Sequence, residues 1–168
     1  TEPKKSKEQI SLLIKGILKT NKTVFAIAPN SDAGNSEIFQ ALEICAKNNP
    51  KFYLFKNIKR EDYLGFLKYS KVLIGNSSSG IVEAAYLNTN VINIGTRQKG
   101  REYDSNVHHL ETPTIHMIEK TINKILKLKN NKIENHFIYG KGNSCSKILK
   151  ILEEIKINNE LIQKQIEY

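Results

Sequence analysis

The sequence predicts an α/β fold in which a parallel sheet carries helices on both faces. Three observations lead there. Short apolar runs of strand length alternate with longer runs of helical spacing along most of the chain. The strand runs are apolar at consecutive positions, as strands covered on both sides must be. Four of the loops that follow strands are rich in turn residues, the composition of ligand loops at the carboxyl ends of parallel strands.

The elements follow in order. Residues 6–20 read as an amphipathic helix, with Ile10, Leu13, Ile14, Ile17 and Leu18 at helical spacing. Residues 23–28 (TVFAIA) form a buried strand that ends in the turn-rich loop PNSDAGN, 29–35. A helix over 36–47 places Ile38, Leu42 and Cys45 on one face, and 52–55 is a strand. The loop KNIKRED (56–62) leads into a helix over 61–69, and KVLIG (71–75) is the next strand. After the loop GNSSSG (75–80), a helix over 80–87 ends at Asn88. The strand NVINI (90–94) opens into the loop GTRQKGRE (95–102), and a short strand spans 106–110. Pro113 helps to start a helix over 114–127, a Lys/Asn-rich stretch at 126–135 reads as a loop, and a last helix spans 144–156.

Composition bounds the function. The 168 residues suit one domain that buries a core without staples. Cys45 and Cys145 show no CxxC or Cys/His spacing, so they read as reduced thiols of a cytoplasmic protein, neither a disulfide framework nor a metal site. No run approaches the about 20 apolar residues of a membrane span. The polar opening TEPKKSKEQ does not read as a signal peptide, and a first residue of Thr1 rather than Met suggests a piece of a longer product. The formal charge of +9 comes almost wholly from lysine. Without an arginine cluster and interleaved aromatics, it reads as solvated helix faces and not as a nucleic-acid surface.

Two loops carry the chemistry. In IGNSSSGIVEAA (74–85) a strand runs into glycine, asparagine, three serines and a second glycine before a helix begins. The first turn of a helix has unpaired N–H groups and positive dipole character, small residues let an anion approach, and serine hydroxyls donate to phosphate oxygens. One serine would be an ordinary cap; three between glycines favour a phosphate loop, although the pattern is neither a Walker loop nor GxGxxG. Glu83 lies one turn further, placed either for solvent or for ligand hydroxyls. In GTRQKGRE, Arg97 and Arg101 read either as planar donors suited to phosphate, in a chain where arginine is scarce, or as surface arginines on a mobile loop. His108, His109, His116 and His136 match no metal spacing and no hydrolase ordering, so they read as structural or surface residues.

Taken in this order, PNSDAG, IGNSSSGIVEAA, NVINIGTRQKGRE and IYGKGNSCSKIL resemble the C-terminal half of the hydrolysing UDP-N-acetylglucosamine 2-epimerases, in their sialic-acid branch. The resemblance runs from Thr1 to about Leu152. It implies a Rossmann-like domain, the second half of a glycosyltransferase-B-type fold with its active site between two halves. Residues 1–156 would be the nucleotide-binding domain and 157–168 a tail. It implies that Ser77 and Ser78 contact the diphosphate, that Glu83 takes the ribose hydroxyls, and that Arg97 approaches the phosphate–sugar region. Asn30 would line the nucleotide pocket and backbone near Ile58 would face the base. No cofactor is implied. Lys141 stands where the family commonly has an acid, so no role passes to it.

The reaction so implied eliminates UDP across the C1–C2 bond of the sugar, leaving a glycal that water converts to N-acetylmannosamine. The carboxylates and the histidine of that chemistry belong to the N-terminal half, so no catalytic residue is expected in this chain and no turnover from it alone. Partners implied are UDP-N-acetylglucosamine or a GDP analogue, the N-terminal half of the same enzyme, and further copies when full length. The opening strand of the domain would also be missing, leaving exposed sheet edges. The nucleotide half of a B-type glycosyltransferase, or a nucleotide-sugar module without chemistry, would use the same serine loop and glutamate.

Overall fold

A computed structural model of the chain describes residues 3–29, 35–128, 137–158 and 161. The elements run α1 (Pro3–Leu18), β1 (Val24–Ile27), α2 (Asn35–Asn48), β2 (Phe52–Phe55), α3 (Arg60–Tyr69), β3 (Val72–Gly75), α4 (Ser79–Tyr86), β4 (Asn90–Ile94), β5 (Val107–Leu110), α5 (Ile115–Lys127) and α6 (Ser144–Glu154). Each element read from the sequence is present, with ends shifted by up to three residues. The stretch 126–135 lies largely outside the described residues, with α5 continuing to Lys127. Two compact units result, Thr1–Ile138 and Tyr139–Tyr168. The second holds α6, whose described residues are all exposed.

All strand pairings are parallel, but the strands divide between two sheets, β1-β2 and β3-β4-β5. Among the described residues, β1 and β3 therefore each keep one edge without a strand partner. In the larger sheet the residues of β4 alternate between two helical layers. Ile92 and Ile94 pack with Ile118, Ile122 and Ile125 of α5 and with Leu13 and Ile17 of α1. Val91, the residue before Ile92, packs with Leu67 of α3 and Ile81 and Ala84 of α4 on the opposite face. Burial on both faces is why this strand is apolar at consecutive positions.

The smaller sheet is covered mainly on one face. Val24, Ala26, Phe52 and Leu54 pack against Ile10 and Leu13 of α1 and Leu42 and Cys45 of α2. The other face carries Phe25, Tyr53 and Phe55; Phe66 of α3 lies against it, with ring centroids 5.0 Å from Phe25 and 5.3 Å from Phe55. Phe25 and Tyr53 stay 49% exposed, so helices on both faces hold for the β3–β5 sheet and only in part here.

Local chemistry sets the ends of the helices. Asn88 ends α4 in the left-handed conformation (φ 58°), which asparagine tolerates. Thr114 caps α5, its hydroxyl accepting from Met117 N at 3.2 Å; Pro113 stands just outside that cap. At the start of β4, buried Thr89 donates to the Leu67 carbonyl at 2.7 Å, and buried Asn106 donates to the Thr89 carbonyl at 2.8 Å. These bonds hold β4 to α3 and β5 at the end opposite the loops that follow the strands.

Candidate functional site

The three serines after β3 part company in the structure. Ser77 and Ser78 are exposed, whereas Ser79 is buried and its hydroxyl accepts from Tyr63 at 2.5 Å. Ser78 stands at the N-cap of α4 in helical conformation (φ −61°, ψ −24°) and makes no side-chain cap bond. The Ser77 hydroxyl accepts from Ser79 N at 3.3 Å. The plain capping role therefore does not account for Ser78, whose hydroxyl remains at the surface beside the first turn. Gly80 has a different reason from ligand access: a Cβ there would stand 2.9 Å from Val91 Cγ1, so glycine lets α4 lie close on β4.

Glu83 sits on the second turn of α4, half-buried, and pairs with Arg60 at 3.1 Å. Arg60 is the first residue of α3, two positions after half-buried Ile58. The ion pair brings the loop after β2 to the helix after β3, so the carboxyl ends of both strands serve one neighbourhood. Tyr63 lies between these groups. Burial pushes its phenol above the usual 10.0 and Glu83 adds to that rise, while the Ser79 bond and Arg60 oppose it. Asn30 lies outside the described residues.

Beyond β4 the chain turns sharply. Gly95 and Gly100 occupy the left-handed region (φ 77° and 83°), where a side chain would be strained. Arg97 and Arg101 are exposed on this loop. Between them Gln98 is only 4% exposed, and its Nε2 donates to the Asn76 carbonyl at 2.7 Å. That bond ties the arginine loop to the serine loop. The residues proposed from the sequence thus fall at one end of the strands: Ile58 after β2, Ser77, Ser78 and Glu83 after β3, and Arg97 after β4. Arg60, Tyr63 and Gln98 were not singled out in the sequence, because each earns its place only through a partner distant along the chain.

Two shallow cavities have other linings. One of about 420 Å³ is bounded only by α5 residues, among them His116, Glu119 and Lys124. One of about 210 Å³ lies between Pro29 and the start of α2 at Asn35, Ser36 and Phe39, flanking the loop after β1. Neither includes Ser77, Ser78, Glu83 or Arg97. Among the described residues no group of three His, Cys, Asp or Glu could hold a metal ion, and no helix is long and apolar enough to cross a membrane. Cys45 is buried and Cys145 exposed, both as free thiols, and burial raises the Cys45 thiol above its usual 9.0.

Parallel strands, helices packed on the sheet, and ligand-type loops gathered at the strand carboxyl ends define a Rossmann-like α/β domain. Residues 1–153 match the model of the UDP-N-acetylglucosamine 2-epimerase family, and the chain belongs to that family. It is 32% identical over 158 residues to a hydrolysing UDP-N,N'-diacetylbacillosamine 2-epimerase of Legionella pneumophila, covering 94% of this chain and 41% of that protein. It is 40% identical over 107 residues to a hydrolysing GDP/UDP-N,N'-diacetylbacillosamine 2-epimerase of Campylobacter jejuni (62% of this chain, 28% of that protein). It is 34% identical over 100 residues to a UDP-N-acetylglucosamine 2-epimerase of Neisseria meningitidis (60% and 26%). The chain thus spans well under half the length of these relatives.

Proposed function

We propose that the chain is the nucleotide-binding half of a hydrolysing UDP-sugar 2-epimerase, acting on UDP-N-acetylglucosamine in sialic-acid-type sugar synthesis in the cytoplasm. The observation that carries this reading is the head of α4. Two exposed serine hydroxyls stand there with no capping duty for Ser78, and Gln98 ties them to the loop of Arg97. In the proposed complex Ser77, Ser78, the first turn of α4 and Arg97 take the diphosphate. Glu83 takes the ribose hydroxyls, Ile58 flanks the base, and Asn30 lines the pocket. Two hydroxyls donated to Glu83 share or replace its bond from Arg60.

The part played in the reaction follows from charge. As the C1–O bond breaks, the electron pair goes to the departing diphosphate, and donors fixed at that point stabilise the charge where it grows. Removal of the C2 proton and addition of water are assigned to an N-terminal half, with which this domain closes a cleft in an oligomeric enzyme.

Calorimetric titration with UDP, GDP and single-stranded DNA tests the reading. UDP binds the unaltered chain, and Ser78→Ala and Glu83→Gln each weaken it by about tenfold, the scale of one charge-assisted bond. GDP binding more tightly than UDP would reassign the base, in keeping with the GDP/UDP in the name of the Campylobacter relative. Unchanged UDP affinity in both variants would remove the site.

A further inference from the structure

The loops after β3 and β4 hold the groups proposed for the diphosphate, and one buried side chain joins them. Gln98 keeps 4% of its surface, with exposed Arg97 and Lys99 on either side. Backbone bonds from Lys99 N to Thr96 O (2.9 Å) and from Arg101 N to Gln98 O (3.3 Å) fold the loop into consecutive turns. They send the Gln98 side chain and its neighbours to opposite surroundings. Its Nε2 donates to the Asn76 carbonyl at 2.7 Å. Asn76 immediately precedes Ser77, and Arg97 immediately precedes Gln98. One hydrogen bond therefore ties the residue before Ser77 to the residue after Arg97.

The same amide carries an unmet demand. Gln98 Oε1 is buried and has no partner among the described residues. An orphaned buried acceptor is costly, and an apolar residue of similar size would fill the space without it. A glutamine here therefore points to what its amino group does.

We infer that Gln98 is a positioning residue for the nucleoside diphosphate: its tie to Asn76 holds Arg97 in register with Ser77 and Ser78. The anion then meets one preformed set of donors instead of ordering two loops on arrival. This inference rests on the diphosphate reading of the same loops.

The test is UDP titration of the full chain carrying Gln98→Ala, Gln98→Glu, Arg97→Ala, or Gln98→Ala with Arg97→Ala. Gln98→Glu keeps the shape but cannot donate to a carbonyl when ionised. Each Gln98 variant weakens UDP by about tenfold, and so does Arg97→Ala. The double variant loses little more than Arg97→Ala alone, because an arginine out of register has little left to contribute. Purely structural damage would instead multiply with the loss of Arg97. Gln98 variants that bind within twofold of the unaltered chain, or multiplying effects, overturn the inference.

Hydrogen exchange on the unaltered chain gives an answer that needs no variant to fold. UDP slows the amides of 76–79 and 96–101 together; slowing of 76–79 alone overturns the coupling. A wild-type chain that binds no UDP overturns the site reading, and this inference with it, and that arm is read before any variant is made.

Discussion

Single side chains in this protein declare themselves to different degrees, and His108 shows how the environment decides. It lies on β5, half-buried, with Lys124 of α5 and His109 beside it. Burial first, then Lys124, then His109, hold its imidazole below the usual 6.5. The unfolded chain takes up a proton near that value while the folded chain resists, so protonation favours unfolding. The contribution is fully present above pH 6.5 and is lost as pH falls from there through the lower, folded value. Urea midpoints at pH 7.5 and 5.5 should differ, and His108→Gln should reduce the difference. An equal drop in the variant would mean another group is responsible. Ser77 and Ser78 were legible in the sequence because small hydroxyl residues clustered where a strand meets a helix. Gln98 and Tyr63 were not, because their partners, Asn76 and Ser79, lie 22 and 16 residues away. A lone glutamine in a polar loop gives no sign of being buried.

The helices and strands were the most legible layer, since their hydrophobic spacing is local. Only the termini moved, where caps decide: the chain reads Pro113 as the start signal of α5, and Thr114 supplies the bond. Contacts between elements were less visible. Gly16 in α1 looks like a weak point, because glycine inside a helix costs about 1 kcal/mol against alanine. In the structure a Cβ there would stand 2.7 Å from Ile118 Cγ2 and 2.8 Å from Ile118 Cβ, in the seam between α1 and α5. Ile118 is fully buried and cannot swing aside. Gly16→Ala should therefore destabilise despite its better propensity, since overpacking costs about 1–3 kcal/mol. The urea midpoint should fall, and the loss should shrink in an Ile118→Ala background. A rise in midpoint would show that the helices part easily.

At the scale of the molecule, the sequence announced parallel α/β architecture but not where its sheet divides. Pairing partners lie outside any local window, and the edges of β1 and β3 resemble paired strands in composition. The division leaves the outer face of β1-β2 open, with Phe25 and Tyr53 each 49% exposed and Ile27 38% exposed. An exposed apolar face beside an open strand edge favours association. Sedimentation velocity should show concentration-dependent self-association, reduced by Phe25→Lys. A chain that remains monomeric and unfolds in one sharp transition would contradict this.

The boundary between the two sheets has a mechanical meaning. Among the described residues no ladder of backbone bonds crosses it; α1 straddles it through Leu13, which packs in the cores of both sheets, and α3 does so through Phe66 on one side and Leu67 on the other. Side-chain packing resists sliding far less than a strand ladder does, so this boundary is where the domain can shear. Arg60 and Glu83 pin it at the loop end. A molecule stretched from Ile58 to Ser78 would act as a splint across the same line, and its grip would be felt as stiffness in both sheets.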